Sequence, residues 1–479
     1  MSEQSRDSVE KMLRYLGSSD SYDELHAQYF SEILAAYFGL GRPSYFSQYK
    51  VQLFDTYLKI LQHLPIEKSF SITHSFFLYV RTSNSTDGDL ENQNEIKRYI
   101  FQPFKSNLEQ ILPSINVPAL KFDPNEDTYL VMTRHATTQG MYAPGKQIYS
   151  VCDALLKFKK KVILVNFGNQ DEKFSELRGR TNFSFLKFNG NYNSLQNFLP
   201  LRKLIDEIKP IEIITEIEIS VINFIEAIGV SSKVCLLSSG IYQIPWFDKK
   251  YLTPELYSEE MKMREDAVKI PQTHNLEILA PSLAKVQIEQ IRIDLDLQQK
   301  FVFGSFARYE MFTPKFLEFA KRALNSVPDS VLILAGSNDQ SIAQSYLADE
   351  IQQKQAILFG VAKTHLLGWA IDVFLDPFPT VAGFAALESL AKGKPVVSKE
   401  CPGLENYRRS RVQDLIFEEE SDLLDTLISM AGCKKEYYKW SQKSKKLAQS
   451  FDNSTALATA IYYSSKPKNS LCQDTRNAI

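Results

Sequence analysis

Little in this 479-residue chain pulls it toward a charged partner. Its 55 Lys and Arg stand against 57 Asp and Glu, a formal charge of −2, so no bulk field recruits nucleic acid or an anionic membrane. Cysteine is scarce as well. The five present, Cys152, Cys235, Cys401, Cys433 and Cys472, lie far apart and form no CxxC pair, which argues against a disulfide scaffold or a structural zinc site. No apolar run reaches the roughly 20 residues that a membrane span needs. The start, MSEQSRDSVEKMLRYLG, carries charge where a signal peptide needs an apolar core, so the expected location is the cytoplasm. Also missing are GxxxxGK[ST], HExxH and GxSxG, which removes the common nucleotide-hydrolase, zinc-protease and serine-hydrolase readings.

What is present, 44% hydrophobic and 23% charged residues, is ordinary globular composition at a length that allows two or three domains. Residues 1–118 read as an all-helical domain. Ser21 and Glu24 have capping-box spacing, and Leu25, Tyr29, Phe30, Ile33, Leu34, Tyr37 and Phe38 then recur on one helical face. Further helical runs fall at Val51 to Leu64 and Ile96 to Leu112. Pro118 and Pro124 mark a boundary, beyond which short strands alternate with helices. Strands are expected at Tyr129 to Thr133, Val162 to Val165, Ile211 to Thr215 and Val234 to Leu237, with helices at Gln147 to Phe158, Leu195 to Ile208 and Val221 to Ala227. Such alternation implies right-handed βαβ units and a parallel sheet, here a doubly wound domain over 119–297.

A second alternating series fills 298–465. Phe301 to Phe303, Val331 to Leu334 and Ala356 to Phe359 are strands, and Thr313-Pro314 has the form of a helix N-cap with proline at the first helical position. Phe316, Phe319, Ala320, Ala323 and Leu324 make its core-facing stripe. The tail from Lys434 to about Tyr463 is helical, and 466–479 is polar without periodicity, the composition of a disordered end. Two doubly wound domains in tandem place a ligand cleft between facing sheets, the architecture of a GT-B glycosyltransferase preceded by an all-helical domain.

The segment that carries the chemistry is Ile371 to Val397, IDVFLDPFPTVAGFAALESLAKGKPVV. Its strand ends in Asp376, breaks at Pro377 and Pro379, turns through Ala382-Gly383 and restarts as a helix bearing Glu388. Strand carboxyl ends facing helix amino ends favour phosphate, because free amides and the helix dipole point there. A carboxylate one turn further along can reach a ribose diol, so the pattern points to a nucleotide-sugar site.

At these residues the chain resembles a known family. FVFGSFARYEMFTPKFLEFAKRALNSVPDSVLILAG and ILFGVAKTHLLGWAIDVFLDPFPTVAGFAALESLAKGKPVV are similar to the catalytic half of glycosyltransferase family 41, which holds protein O-GlcNAc transferase and bacterial cytoplasmic N-glucosyltransferases. The resemblance covers Phe301 to Val397 well, is suggestive over 125–240, and is compatible with the family's bacterial branch over the helical start. It implies a UDP-sugar donor, no cofactor and no metal. By position it implies Glu388 on the ribose, Arg308 at the uridine side, Val361 and Ala362 beside the base, and Gly383, Phe384 and Ala385 around the pyrophosphate. Met311 stands where the family usually has a lysine that neutralises the diphosphate, and Arg308, Lys363 or Arg134 are candidate replacements.

Inverting transfer also needs a base or proton sink. Among six histidines, His135 follows the first strand of the 119–297 domain, with Gln139 as an alternative in the same loop, while His365 lies in the turn after Lys363, close to the expected base pocket, and is, with Lys363, a candidate for donor binding. Ser238, Ser239 and Gly240 end a strand where sugar or acceptor could be touched, and Glu216 and Glu218 are further candidate bases. Two Asp-x-Asp matches, Asp87-Gly88-Asp89 and Asp294-Leu295-Asp296, do not end a strand at a nucleotide pocket, so metal is not expected. The expected activity is transfer of a hexose or N-acetylhexosamine to a protein side chain. A non-catalytic GT-B-like partner or acceptor-recognition subunit, working with a partner glycosyltransferase, and a transferase acting on lipid or saccharide are the alternatives.

Overall fold

A computed structural model describes residues 10–16, 23–39, 49–64, 100–114, 116–138, 143–188, 195–216, 224–237, 249–252, 267–271 and 275–465, with 69, 72, 73 and 76. They form two compact units, one of residues 1–136, 159–251 and 465–479, the other of 137–158 and 252–464. No described helix is long and apolar enough to cross a membrane.

In the first unit, helices α1 (Glu24–Gly39), α2 (Lys50–His63) and α3 (Gln102–Ser114) supply one wall of a single core. Phe30, Ile33, Leu34, Tyr57, Ile60, Phe104 and Leu108 pack with Leu130, Met132, Ile163 and Ile213 from the strands behind them. At the start of α1, Asp23 accepts from the amides of Leu25 at 2.9 Å and His26 at 3.1 Å, while Ser21, the expected cap, lies outside the described residues.

The sheet of this unit contains β1 (Asn125–Thr133), β2 (Lys161–Asn166), β3 (Phe183–Lys187), β4 (Pro210–Thr215), β5 (Lys233–Leu237) and β6 (Lys249–Leu252). Helix α4 (Ala143–Lys157) follows β1 in sequence but belongs to the second unit, and α5 (Glu172–Leu177) and α6 (Leu195–Ile208) complete the alternation. The strands run parallel in the order β3-β2-β1-β4-β5-β6. Both β3 and β6 were invisible to periodicity. In β3 the reason is plain, since only Phe183 of Phe183–Lys187 is buried, leaving a strand without an apolar face to read.

The second unit adds β7 (Ala267–Lys269), α7 (Leu276–Leu279), α8 (Lys285–Asp294), β8 (Phe301–Phe306), α9 (Pro314–Ser326), β9 (Ser330–Ala335), α10 (Ser341–Tyr346), α11 (Ala348–Gln352), β10 (Ala356–Phe359), α12 (Thr364–Ala370), β11 (Val373–Leu375), α13 (Phe384–Ala391), β12 (Val396–Lys399), β13 (Ile416–Phe417), α14 (Glu420–Gly432), α15 (Lys434–Gln449) and α16 (Ser454–Ser465). Its sheet is parallel, in the order β10-β9-β8-β11-β12-β13. Thr313 caps α9 as expected, accepting from Phe316 N at 3.3 Å, and Phe316, Phe319, Ala320, Ala323 and Leu324 are all buried.

Each sheet therefore starts in its middle, winds outward one way and then the other. The direction reverses between β1 and β4 in the first unit and between β8 and β11 in the second. Chain ends leaving adjacent strands toward opposite sides open a crevice at such a point, where ligands of open α/β sheets bind.

Candidate active site

The reversal point of the second sheet is lined by a pocket of about 150 Å³. From the end of β8 come Phe306, Ala307 and Met311, from β9 Ala335, from α12 Thr364, and from the β11–α13 turn Ala382, Gly383, Phe384, Ala385 and Glu388. Lys146, in the first turn of α4, completes it.

Buried charge builds the turn. Asp376, at the end of β11, is 2% exposed and accepts from Ala382 N, Ser398 Oγ and Arg411 Nε, each at 2.8 Å. Arg411, itself 1% exposed, also donates to Ala382 O and, at 3.1 Å, to Ser410 O and Oγ. Two full charges without water are tolerated because nearly every lone pair and proton has a partner. The result is a chain reversal clamped at both ends, assisted by Thr313 Oγ1, which donates to Phe378 O at 2.8 Å. The Phe378-Pro379 peptide is cis.

The clamp delivers Gly383 to the N-cap of α13. The first helical bond there is Leu387 N to Gly383 O at 3.4 Å, so the amides of Phe384, Ala385 and Ala386 precede any intrahelical acceptor and face an anion-favouring end. A Cβ at position 383 would meet the Tyr407 ring at 3.6 Å, an ordinary van der Waals contact. Just past the C-cap Lys392 comes Gly393, whose φ of +74° is the left-handed conformation glycine tolerates best.

Glu388 lies about 6 Å along the axis from Phe384, at roughly 1.5 Å per residue. Its carboxylate pairs with the Lys146 ammonium, and each residue is only 5% exposed. Below them, Lys392 Nζ donates to Leu279 O at 2.8 Å and Glu388 O at 3.2 Å. Burial pulls the Lys392 ammonium down to about 8, with Glu388 opposing the shift and Lys146 adding to it. His365 stands close enough to feel the same charges. Burial first and the Lys392 ammonium second push its imidazole below the ordinary range, while Glu388 works the other way.

The expected donor residues divide. Glu388, Gly383, Phe384 and Ala385 line one pocket together, and Met311 lines it too. Arg308 does not; it is half exposed and pairs with Glu310 at 2.9 Å. Val361 is 77% exposed, and Lys363, also exposed, precedes α12 without capping it by a side-chain bond. Ala362 packs against the core beside them. Gln139, Ser239, Gly240 and Glu218 lie outside the described residues, as do Asp87 and Asp89. Asp294 accepts from Gln290 Nε2 at 2.7 Å at the end of α8. Among the described residues no group of three or more His, Cys, Asp or Glu is placed to hold a metal ion.

His135 sits at the reversal point of the first sheet. Its Nδ1 accepts from Asn169 N at 3.1 Å, which leaves the other ring nitrogen to carry the proton in the neutral form. Gly168 makes room for the ring, since a Cβ there would fall 2.3 Å from Nδ1. Glu216 accepts from Thr133 Oγ1 and from Arg134 N, both at 2.8 Å, so that carboxylate ties the ends of β1 and β4.

Sequence reasoning missed Lys146. One signal was available: the first turn of α4 holds no acidic residue, only this lysine, and a cation at a helix amino end is electrostatically out of place unless an anion elsewhere claims it.

No protein-family model matches this sequence, and no curated protein matches it. Solved structures do. A glycosyltransferase from Rickettsia africae aligns with a TM-score of 0.55 at 15% identity, over 71% of this chain and 99% of its own. A lysine-to-methionine mutant of the O-GlcNAc transferase of Thermobaculum terrenum aligns at 0.52 and 14%, over 97% of this chain and 98% of that one. Anabaena HepE, in complex with UDP and glucose, aligns at 0.50 and 13%, over 70% of this chain and 98% of its own. Identities this low establish the fold, which is α/β of the GT-B type. The neighbours are GT-B glycosyltransferases, one of them an O-GlcNAc transferase.

Proposed function

We propose that this chain is a glycosyltransferase that takes its sugar from a UDP-sugar. The observation that carries the reading is the pocket at the reversal point of the second sheet, where the amino end of α13, a carboxylate one turn along and a buried ammonium converge. That set matches the parts of a nucleoside diphosphate: amides and a cation for the phosphates, a carboxylate for the ribose diol. The likeness in fold to a protein crystallised with UDP and glucose agrees with it.

In this reading Gly383, Phe384 and Ala385 receive the diphosphate and Glu388 the ribose. Val361, Ala362, Lys363, His365 and Arg308 flank the base. His135 is the candidate proton acceptor for an inverting transfer without metal, of a hexose or N-acetylhexosamine, onto a protein side chain held with the help of helices α1, α2 and α3.

The test is calorimetric titration of UDP into the chain and into Glu388→Gln, followed by incubation with UDP-glucose and UDP-N-acetylglucosamine to measure donor hydrolysis. Binding that weakens in the variant, with sustained turnover in the parent, is expected. Equal affinity in both removes the ribose role. Binding without turnover of any sugar nucleotide supports instead a partner subunit that has kept the fold and lost the chemistry. Mass spectrometry of proteins co-expressed with the chain, searched for added hexose on Asn, Ser or Thr, reads the acceptor.

A further inference from the structure

We propose that Lys146 and Glu388 are an exchange pair: bound to each other here, they part for a nucleoside diphosphate, the ammonium going to the diphosphate and the carboxylate to the ribose diol. The inference rests on the nucleotide-sugar reading above and adds to it the residue that neutralises the phosphates and a reason the pocket demands both halves of its ligand.

Among the described residues that line this pocket, Lys146 is the cation. The position expected to carry one is Met311, which lines the pocket without charge. Arg308 is half exposed and engaged with Glu310, and Lys363 is exposed; neither lines the pocket. Lys392, buried beneath, spends its ammonium on Leu279 O and Glu388 O. The Lys146 ammonium, by contrast, is held by a carboxylate that sits one helical turn from the amino end of α13. An anion arriving at that amino end meets the helix dipole and an ammonium together.

Burial makes the exchange selective. With each partner 5% exposed, removing one partner's counter-charge strands the other in a poorly solvated site. A nucleoside without phosphate can occupy Glu388 only by stranding Lys146. A diphosphate without ribose strands Glu388. A ligand with both satisfies the two charges at once, so the two contacts depend on each other.

Lys146→Met alone leaves a buried carboxylate with no donor and invites misfolding, whereas the amide oxygen of Glu388→Gln can still accept from the Lys146 ammonium. The comparison therefore runs between Glu388→Gln, in which the lysine remains, and Lys146→Met/Glu388→Gln, in which neither charge does. Calorimetry with UDP and with uridine reads both, and denaturation midpoints check folding. Lys146→Gln/Glu388→Gln replaces the double variant should methionine misfold. UDP affinity should fall about 10- to 100-fold from Glu388→Gln to the double variant, the scale of one charge-assisted phosphate contact, with uridine unchanged within about twofold. Equal UDP affinity in the two variants overturns the exchange pair while leaving the nucleotide site standing. A parent chain that binds UDP no better than uridine does the same. A parent that binds neither refutes the nucleotide-sugar reading itself.

Discussion

Arg411→Met strips the β11–α13 turn of its counter-charge and tests how the site is held. Asp376 keeps its bonds from Ala382 N and Ser398 Oγ but loses the guanidinium at 2.8 Å, inside a region where both residues are at most 2% exposed. Breaking a buried ion pair from one side costs about 3–5 kcal/mol. The arginine bonds to Ala382 O, Ser410 O and Ser410 Oγ go with it. Against a domain stability of roughly 5–15 kcal/mol, that is a large share.

Urea denaturation of the chain and the variant measures the loss, and UDP titration below the transition reads its effect on the turn. The double variant Asp376→Asn/Arg411→Met removes both charges and should regain most of the stability, because a neutral buried pair carries no stranded ion. UDP binding should stay weak in the double variant, since nothing then fixes Ala382 and Gly383 from the arginine side. A single variant that loses less than about 1 kcal/mol, the scale of an exposed pair, would refute the claim that this ion pair organises the pocket.

Other perturbations have equally definite signs. Burial holds the His365 imidazole below its ordinary value of 6.5 in the folded chain, so the unfolded chain binds its proton first; the stability associated with neutral His365 is full above about pH 6.5 and declines as pH falls below it. His365→Gln should soften that decline between pH 6.5 and 5 in denaturation midpoints, and parallel curves would sink the assignment. Lys392 behaves in the opposite range. Its ammonium titrates at about 8 in the fold instead of 10.5, so stability should rise as pH climbs from 8 toward 10.5, and Lys392→Met should flatten the rise. Met311→Lys placed in the Lys146→Met/Glu388→Gln background returns a cation to the same pocket and should recover at least tenfold in UDP affinity, about 1.4 kcal/mol; no recovery means that position 311 does not reach the phosphates. Gly336→Ala puts a Cβ 1.7 Å from Ala307 O, a backbone clash that should destabilise by several kcal/mol, roughly the scale of overpacking, and thermal unfolding reads it.

Where burial and chain period agree, the sequence was readable. The stripe of α9 and the strands β1, β2, β4, β8 and β9 are buried on both faces or along one clear face, and they lay where apolar runs put them. Strand β13, two residues of intermediate burial, had no such signature. Turn chemistry was legible as well: prolines and glycine marked the β11–α13 reversal, though nothing in the local pattern announced that Arg411, 35 residues beyond Asp376, would neutralise it.

The charge balance of the site was hidden for a deeper reason. Periodicity reports which face of a helix is buried, and α4, with Ile148, Tyr149, Cys152 and Leu155 inside, was correctly an amphipathic helix after β1. It does not report which unit receives that helix. Adjacency along the chain suggested the first sheet, whereas residues 137–158 join the second unit, and with them comes Lys146, 242 positions from its partner Glu388. The methionine at 311 then acquires a different meaning. A lysine there would have stood in the same pocket as the Lys146 ammonium, two like charges competing for one carboxylate, and such a pair weakens both. A neutral side chain at 311 and a cation at 146 are one arrangement seen from two positions, and the variants that move the charge from 146 to 311 ask whether the pocket requires the lysine's place or only its charge.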